Sequence, residues 1–124
     1  MAQQKINPTQ MSIESGVTST TSYIKFDNGM CIQTIERTYT GTISTLWNGS
    51  RISNGISSVT LPITLTSVKS VQHTVNPRDG GNVWYMSGGN YSTSITGDCY
   101  IISSESITAS KTYTVHTVVI GQWK

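Results

Sequence analysis

The alternation of apolar and polar side chains is clearest near the end of the chain. Between Lys111 and Ile120, Tyr113, Val115, Thr117 and Val119 share one side of an extended backbone, and Thr114, His116, Val118 and Ile120 share the other. Shorter runs carry the same period. Tyr23 to Phe26 alternates and is closed by Asp27-Asn28-Gly29, a strong hairpin signal. A strand is predicted from Met30 to about Tyr39, and two tight turns at Trp47-Asn48-Gly49 and Ser53-Asn54-Gly55. Val59 to Ile63 reads as a strand that Pro62 confines to an edge or a bulge. Val68, Val71 and Val75 mark a further strand, which ends in the turn-prone stretch Asn76 to Gly81. Val83 to Met86, then Cys99 to Ile102, complete the set, with turns at Gly88-Gly89-Asn90 and Gly97-Asp98. No helical period runs through any of these segments. Strands at intervals of about ten residues with turns between them predict an all-β protein, an antiparallel sandwich or small barrel.

Composition strengthens that reading. Ser and Thr account for 37 of 124 residues, and Val, Ile and Thr together for 42, whereas Leu and Ala total only 5. β-Branched side chains suit a pleated surface, and the strong helix formers are nearly absent. Only 11% of residues are charged and the net charge is +2, with no Lys/Arg cluster, so nucleic-acid binding is not expected. No apolar run approaches the length of a membrane span, and the first residues lack the regions of a signal peptide, so neither membrane insertion nor Sec secretion is expected. A chain so poor in charge leaves much surface for packing against copies of itself, and self-association is expected. The length suits one domain, read as residues 23–124. Residues 1–22 are polar and Ser/Thr-rich and read as a lead-in segment, expected to fray unless a partner chain or a sheet edge holds it.

Candidate chemistry is sparse. The six acids, Glu14, Asp27, Glu36, Asp79, Asp98 and Glu105, form no pair by sequence, and there is no GxSxG turn or phosphate-binding glycine loop. His116, inside an alternating run, reads as a hydrogen-bonded strand histidine rather than a base. Cys31 and Cys99 read first as buried small thiols, with a single bridge in an oxidising compartment as the alternative. No enzyme activity, cofactor or metal site is predicted. The better signal lies in loops rich in planar and amide side chains. Aromatic faces stack on sugars, and Asp, Asn and Arg reach paired hydroxyls, so Arg78, Asp79, Trp84, Tyr85, Tyr91 and Asp98 are the candidate receptor- or glycan-binding residues. Against this, Trp84 and Tyr85 alternate, so one of them could point into the core of a simple hairpin cap.

Three blocks of sequence resemble the C-terminal domains of bacteriophage tail fibres. Tyr23 to Gln33 is similar to their opening "YIKF-(S/D)NG-(hydrophobic)-x-IQ", and Val59 to Ile63 with Thr66 to Val68 to their "LP-(apolar)-x-F-x-S-V" segment. Tyr113 to Val119 with Ile120-Gly121-Gln122-Trp123 is similar to their closing "v-x-(W/Y)-x-(A/V)-IG-x-W". The blocks fall in order across residues 23–124, and Leu65 stands where an aromatic is commoner. The resemblance implies an H-type-lectin-like β-sandwich assembled as a homotrimer at the tip of a virion fibre. Its role would be host attachment: binding a bacterial surface glycan or other receptor without cleaving it, in company with other virion tail proteins. A trimer would bury strand faces that one copy exposes and raise weak sugar contacts to useful avidity. The alternative is a structural virion protein, such as a head fibre, collar or decoration subunit. A capsule-cutting depolymerase is not expected, because such enzymes need a much larger β-helix.

Overall fold

A computed structural model describes residues 12–77 and 83–124. Among them the chain is all-β, and every strand pairing is antiparallel. Nine strands form: β1 Ser12–Val17, β2 Thr21–Phe26, β3 Met30–Ile43, β4 Thr45–Trp47, β5 Ser50–Ile52, β6 Ser67–Pro77, β7 Val83–Gly89, β8 Asp98–Ser103 and β9 Ile107–Gln122. They make a five-stranded sheet in the order β1-β2-β3-β9-β6 and a four-stranded sheet in the order β4-β5-β8-β7. The two sheets form a sandwich, as the alternation predicts. Strands β1 and the start of β2 lie within the stretch read as a lead-in, and β1 forms the edge of the larger sheet. Glu14 of β1 pairs with Lys25 of β2 at 2.8 Å.

The predicted turns work through backbone conformations that most residues avoid. Asn48 and Gly49 have φ of 46° and 79° between the paired residues Trp47 and Ser50, as a type I′ hairpin requires. Gly29 (φ 95°) closes the turn from β2 into β3, where its N–H donates to the Phe26 carbonyl at 3.0 Å.

The long ladder between β3 and β9 runs from Met30 opposite Gln122 to Ile43 opposite Ile107 and forms the spine of the larger sheet. Its inward face carries two hydrophobic clusters. Ile43, Tyr113 and Val115 meet Ile56, Cys99 and Ile101 of the smaller sheet and its flank. Cys31, Ile35 and Val119 meet Leu61 and Leu65 from the segment between β5 and β6. The cysteines lie in different clusters as buried free thiols, and burial pushes both up in pKa. Between the clusters runs a buried polar layer: Arg37 of β3, His73 of β6 and Thr117 of β9.

Two predicted elements differ in the structure. Asn54-Gly55 makes no turn. The chain runs on beside β8, with the Ser53 N–H donating to the Ile101 carbonyl (2.9 Å) and the Ile56 N–H to that of Cys99 (2.8 Å). Gly55 has no positive φ, and its role is to leave room for a tyrosine ring. Val59 to Ile63 is not a strand and contributes one isolated bridge, Thr60 to Ile95. A side chain takes the place of a neighbouring strand: the buried Gln33 amide donates to the Ile63 carbonyl and accepts from the Ile63 N–H, both at 2.9 Å. The reciprocal pair satisfies a segment whose Pro62 cannot donate to a ladder.

Candidate functional site

The register of the smaller sheet decides which loop-rich residues meet. Trp84 stands opposite Ile102, Tyr85 opposite Ile101 and Met86 opposite Tyr100. Ile101 belongs to the core, so Tyr85 faces inward, and Trp84, Met86, Tyr100 and Ile102 face outward. Asp98 follows two residues below Tyr100 on the same outward row.

Trp84 and Tyr85 are both exposed, at 45% and 40%. The hairpin-cap reading is therefore half right: Tyr85 turns toward the interior, yet it lies on the edge strand β7 and keeps much of its surface in water. Its ring stands edge-on to the His73 ring with centroids 6.1 Å apart, covering the buried polar layer from the side. Tyr91, exposed at 55%, follows the left-handed residues Gly89 and Asn90 (φ 81° and 58°). Gly97 (φ 82°) packs against this bend so closely that a Cβ there would lie 2.5 Å from the Gly89 carbonyl oxygen. Asp98 Oδ1 accepts the Ser58 N–H at 2.8 Å, while Oδ2 has one long contact, 3.4 Å, from the Asn90 amide. Of the six candidates, then, Tyr91 and Asp98 meet at one end of the smaller sheet, Trp84 lies on its outward face opposite Ile102, four residues along β8 from Asp98, and Tyr85 lies on its inner side. Arg78 and Asp79 lie outside the described residues.

Two residues of this region escape a reading by loop composition. Tyr100 sits in a strand, and its signal is only the two-residue spacing from Asp98 and Ile102. Arg37 is a lone cation in an alternating run, yet it is only 7% exposed and holds the site from beneath. Its Nη1 donates to the carbonyls of Ser57 (2.9 Å) and Gly97 (3.1 Å), the residues next to Ser58 and Asp98.

Elsewhere, an open groove of about 440 Å³ lies beneath the turn from β1 to β2, lined by hydroxyls from Thr18 to Ser22 together with Glu36 and His116. Glu36 and His116 are cross-strand neighbours there. Among the described residues no group of His, Cys, Asp or Glu could hold a metal ion.

The fold has counterparts among solved structures. The P. aeruginosa R1 pyocin fibre, C-terminal residues 323–701, superposes with a TM-score of 0.57 at 20% identity, covering 88% of this chain and 28% of that one. An N-truncated R1-type pyocin tail fibre superposes with a TM-score of 0.56, also at 20% identity, covering 88% of this chain and 86% of that one. The chain shares the fold of these fibre fragments. It spans well under two thirds of the longer pyocin fragment. No protein-family model matches the chain, and no curated protein matches it.

Proposed function

We propose that this domain is a tail-fibre-type receptor-binding module of a phage or phage-like particle, which recognises a bacterial surface glycan without cleaving it. The observation that carries the reading is exposed Tyr91, at the bend packed on Gly97, next to the half-buried Asp98, with exposed Trp84 farther along the same outward face, on a tail-fibre fold. Stacking faces beside a carboxylate with unused acceptor capacity suit a sugar, whereas hydrolysis needs a second carboxylate. The nearest acid to Asp98 in sequence among the described residues is Glu105, beyond the far end of β8.

The reading includes a homotrimer, in an H-type-lectin-like arrangement at a fibre tip among other tail proteins. The outward face of the five-stranded sheet supports it. Ile24, Ile32 and Ile120 lie in one row across β2, β3 and β9, next to exposed Met30 and half-buried Val118. Such a row loses water on packing against a second copy.

The test is adsorption. The purified domain is incubated with a panel of bacterial strains and with their extracted surface glycans, and its mass is determined by light scattering. Binding to a strain, with a mass near three times the 13.5 kDa chain, is the expected result. A trimer that adsorbs to no strain and no glycan would point instead to a structural virion subunit.

A further inference from the structure

Tyr100 is flanked by glycine on both sides. A Cβ on Gly55 would meet the Cε1, Cζ and hydroxyl oxygen of the Tyr100 ring at 3.3–3.5 Å, and a Cβ on Gly88 would meet its Cε2 at 3.0 Å. Gly55 runs beside β8 on one side and Gly88 lies in β7 on the other. A tyrosine standing upright on a sheet would carry its hydroxyl far above a neighbouring Cβ. Here the hydroxyl and both ring edges come down toward Cβ height, so the half-exposed ring leans low between the two glycines rather than standing upright. Neither glycine has a positive φ, so turn geometry does not explain them. Gly55 provides clearance for the ring, while Gly88 lies at the bulge of β7, where a Cβ would meet the Asp98 Cβ and carbonyl oxygen at 3.1 Å as well as the ring.

The rest of this outward face fits a ligand that is apolar on one side and hydroxylated at its rim. Exposed Trp84, over the buried Ile102, forms the row beyond the Met86–Tyr100 pair, two residues or roughly 7 Å along the strands. In the opposite direction the next group is Asp98, whose Cβ and Tyr100 Cε2 lie 3.1 and 3.0 Å from the same point above Gly88. Asp98 is the only charged side chain on this face among the described residues; Arg51 of β5 pairs with buried Ser103 and belongs to the inner row. With no cation among its described residues the face offers little to a phosphate or a carboxylate, and the under-used carboxylate at its end offers an acceptor to hydroxyls. The same carboxylate argues against a second copy of the chain as occupant, because an apolar partner face would strip its water without replacing it.

We propose that the outer face of the four-stranded sheet is a saccharide platform. A neutral hexopyranose stacks on Tyr100 with Trp84 beside it, and Asp98 accepts from its hydroxyls. This assignment rests on the receptor-binding reading above and places the contact on a strand face, where loop composition alone does not look.

The test titrates the full chain with neutral oligosaccharides (maltotriose, mannotriose, lactose) and with sialyllactose, following the Tyr100 ring and Trp84 indole resonances, beside adsorption to the strain panel. A neutral sugar is expected to shift both resonances. Tyr100→Ala should weaken binding about tenfold and Tyr100→Phe should retain it, since the ring and not the hydroxyl makes the stack. Gly55→Val, whose added Cβ meets the ring first at 3.3 Å, should lift it and weaken binding with the denaturation midpoint little changed. That variant keeps the test decisive if Tyr100→Ala fails to fold. Strain or sugar binding that survives both Tyr100→Ala and Gly55→Val would overturn the platform and leave the receptor reading standing. Binding of sialyllactose alone would overturn the neutral class. A Tyr100→Ala chain that drops in mass would show that copies of the chain cover this face, which also overturns the proposal. Wild-type protein that binds no sugar and no strain would overturn both readings together.

Discussion

Arg37 Nη2 stands 3.3 Å from Nδ1 of His73, with both side chains inside the sandwich and the Thr117 hydroxyl within 3.0 Å of the one and 2.7 Å of the other. A guanidinium can only donate, so Nδ1 accepts in this contact, while Nε2 is buried without a hydrogen-bond partner. That arrangement holds the imidazole neutral. Burial first, and the Arg37 charge second, bring its pKa from 6.5 down to about 4. A base whose folded pKa is depressed contributes stability that is complete above its unfolded pKa and is lost as pH falls toward the folded value. The free energy of unfolding is therefore expected to fall between about pH 6.5 and pH 4, by up to roughly 3 kcal/mol from this residue. Urea unfolding at several pH values checks it, with His73→Gln as the control. A His73→Gln chain with the same pH slope as the wild type would rule the histidine out as the cause.

The same arginine has no carboxylate partner among the described residues, and it is the carbonyls of Ser57 and Gly97 and the Thr117 hydroxyl that hold it. Arg37→Met fills most of the volume, takes the arginine donor from the part-buried Ser57 carbonyl and leaves the Gly97 carbonyl only the Thr96 hydroxyl at 3.2 Å. The expected loss is roughly 1–3 kcal/mol, from the usual cost of weakened or unmet buried polar groups. Asp98 should also become more mobile, because its neighbour Gly97 loses its anchor. Denaturation curves check the first effect and amide hydrogen exchange at Gly97 and Asp98 the second.

The three sequence blocks that resemble tail-fibre domains turn out to be one place in the fold. Gln33 from the first block holds Ile63 of the second through two hydrogen bonds. Trp123 from the third donates its indole N–H to the Phe26 carbonyl of the first at 2.9 Å. Leu61, Leu65, Val119 and Cys31 fill the space between them. The motif therefore records a scaffold, which is why the fold is legible from it and the contact face is not. Period-two alternation likewise finds β3, β6, β8 and β9, since each has one face in the core. It fails at Val59 to Ile63, where a glutamine side chain does the work of a strand, and at Asn54-Gly55, where the glycine serves a ring rather than a turn. Loop composition counts aromatic residues without regard to face, so it takes Tyr85 together with Trp84 and passes over Tyr100. Only the register separates them.

Gly121 in that scaffold has no room for a side chain. A Cβ there would lie 2.2 Å from the Ser67 carbonyl oxygen and 2.8 Å from Leu65 Cδ1. The first obstacle is backbone of β6 paired to β9, so the clash can be relieved only by parting the two strands. Gly121→Ala is expected to cost about 3 kcal/mol or more, in the range of severe overpacking. Gly49→Ala offers a contrast, because nothing lies near its Cβ and the penalty there is conformational, about 1 kcal/mol for its positive φ. Thermal or urea unfolding of the two variants, side by side, measures the difference.

Trp84 and Tyr85 are neighbours in sequence with similar exposure, and the register assigns them different work. Tyr85→Ala uncovers the edge of His73, so the imidazole gains water and its pKa should rise from about 4 toward 6.5. Stability at neutral pH should fall by roughly 1–2 kcal/mol as the aromatic contact is lost. Trp84→Ala faces outward over Ile102, away from the polar layer, and should leave the His73 titration unchanged at a cost below about 1 kcal/mol. Its effect should appear in adsorption instead. An NMR titration of the histidine ring in both variants makes the comparison. Equal His73 pKa values in the two would mean that Tyr85 does not shield the buried layer, and that the inward assignment of its ring is wrong.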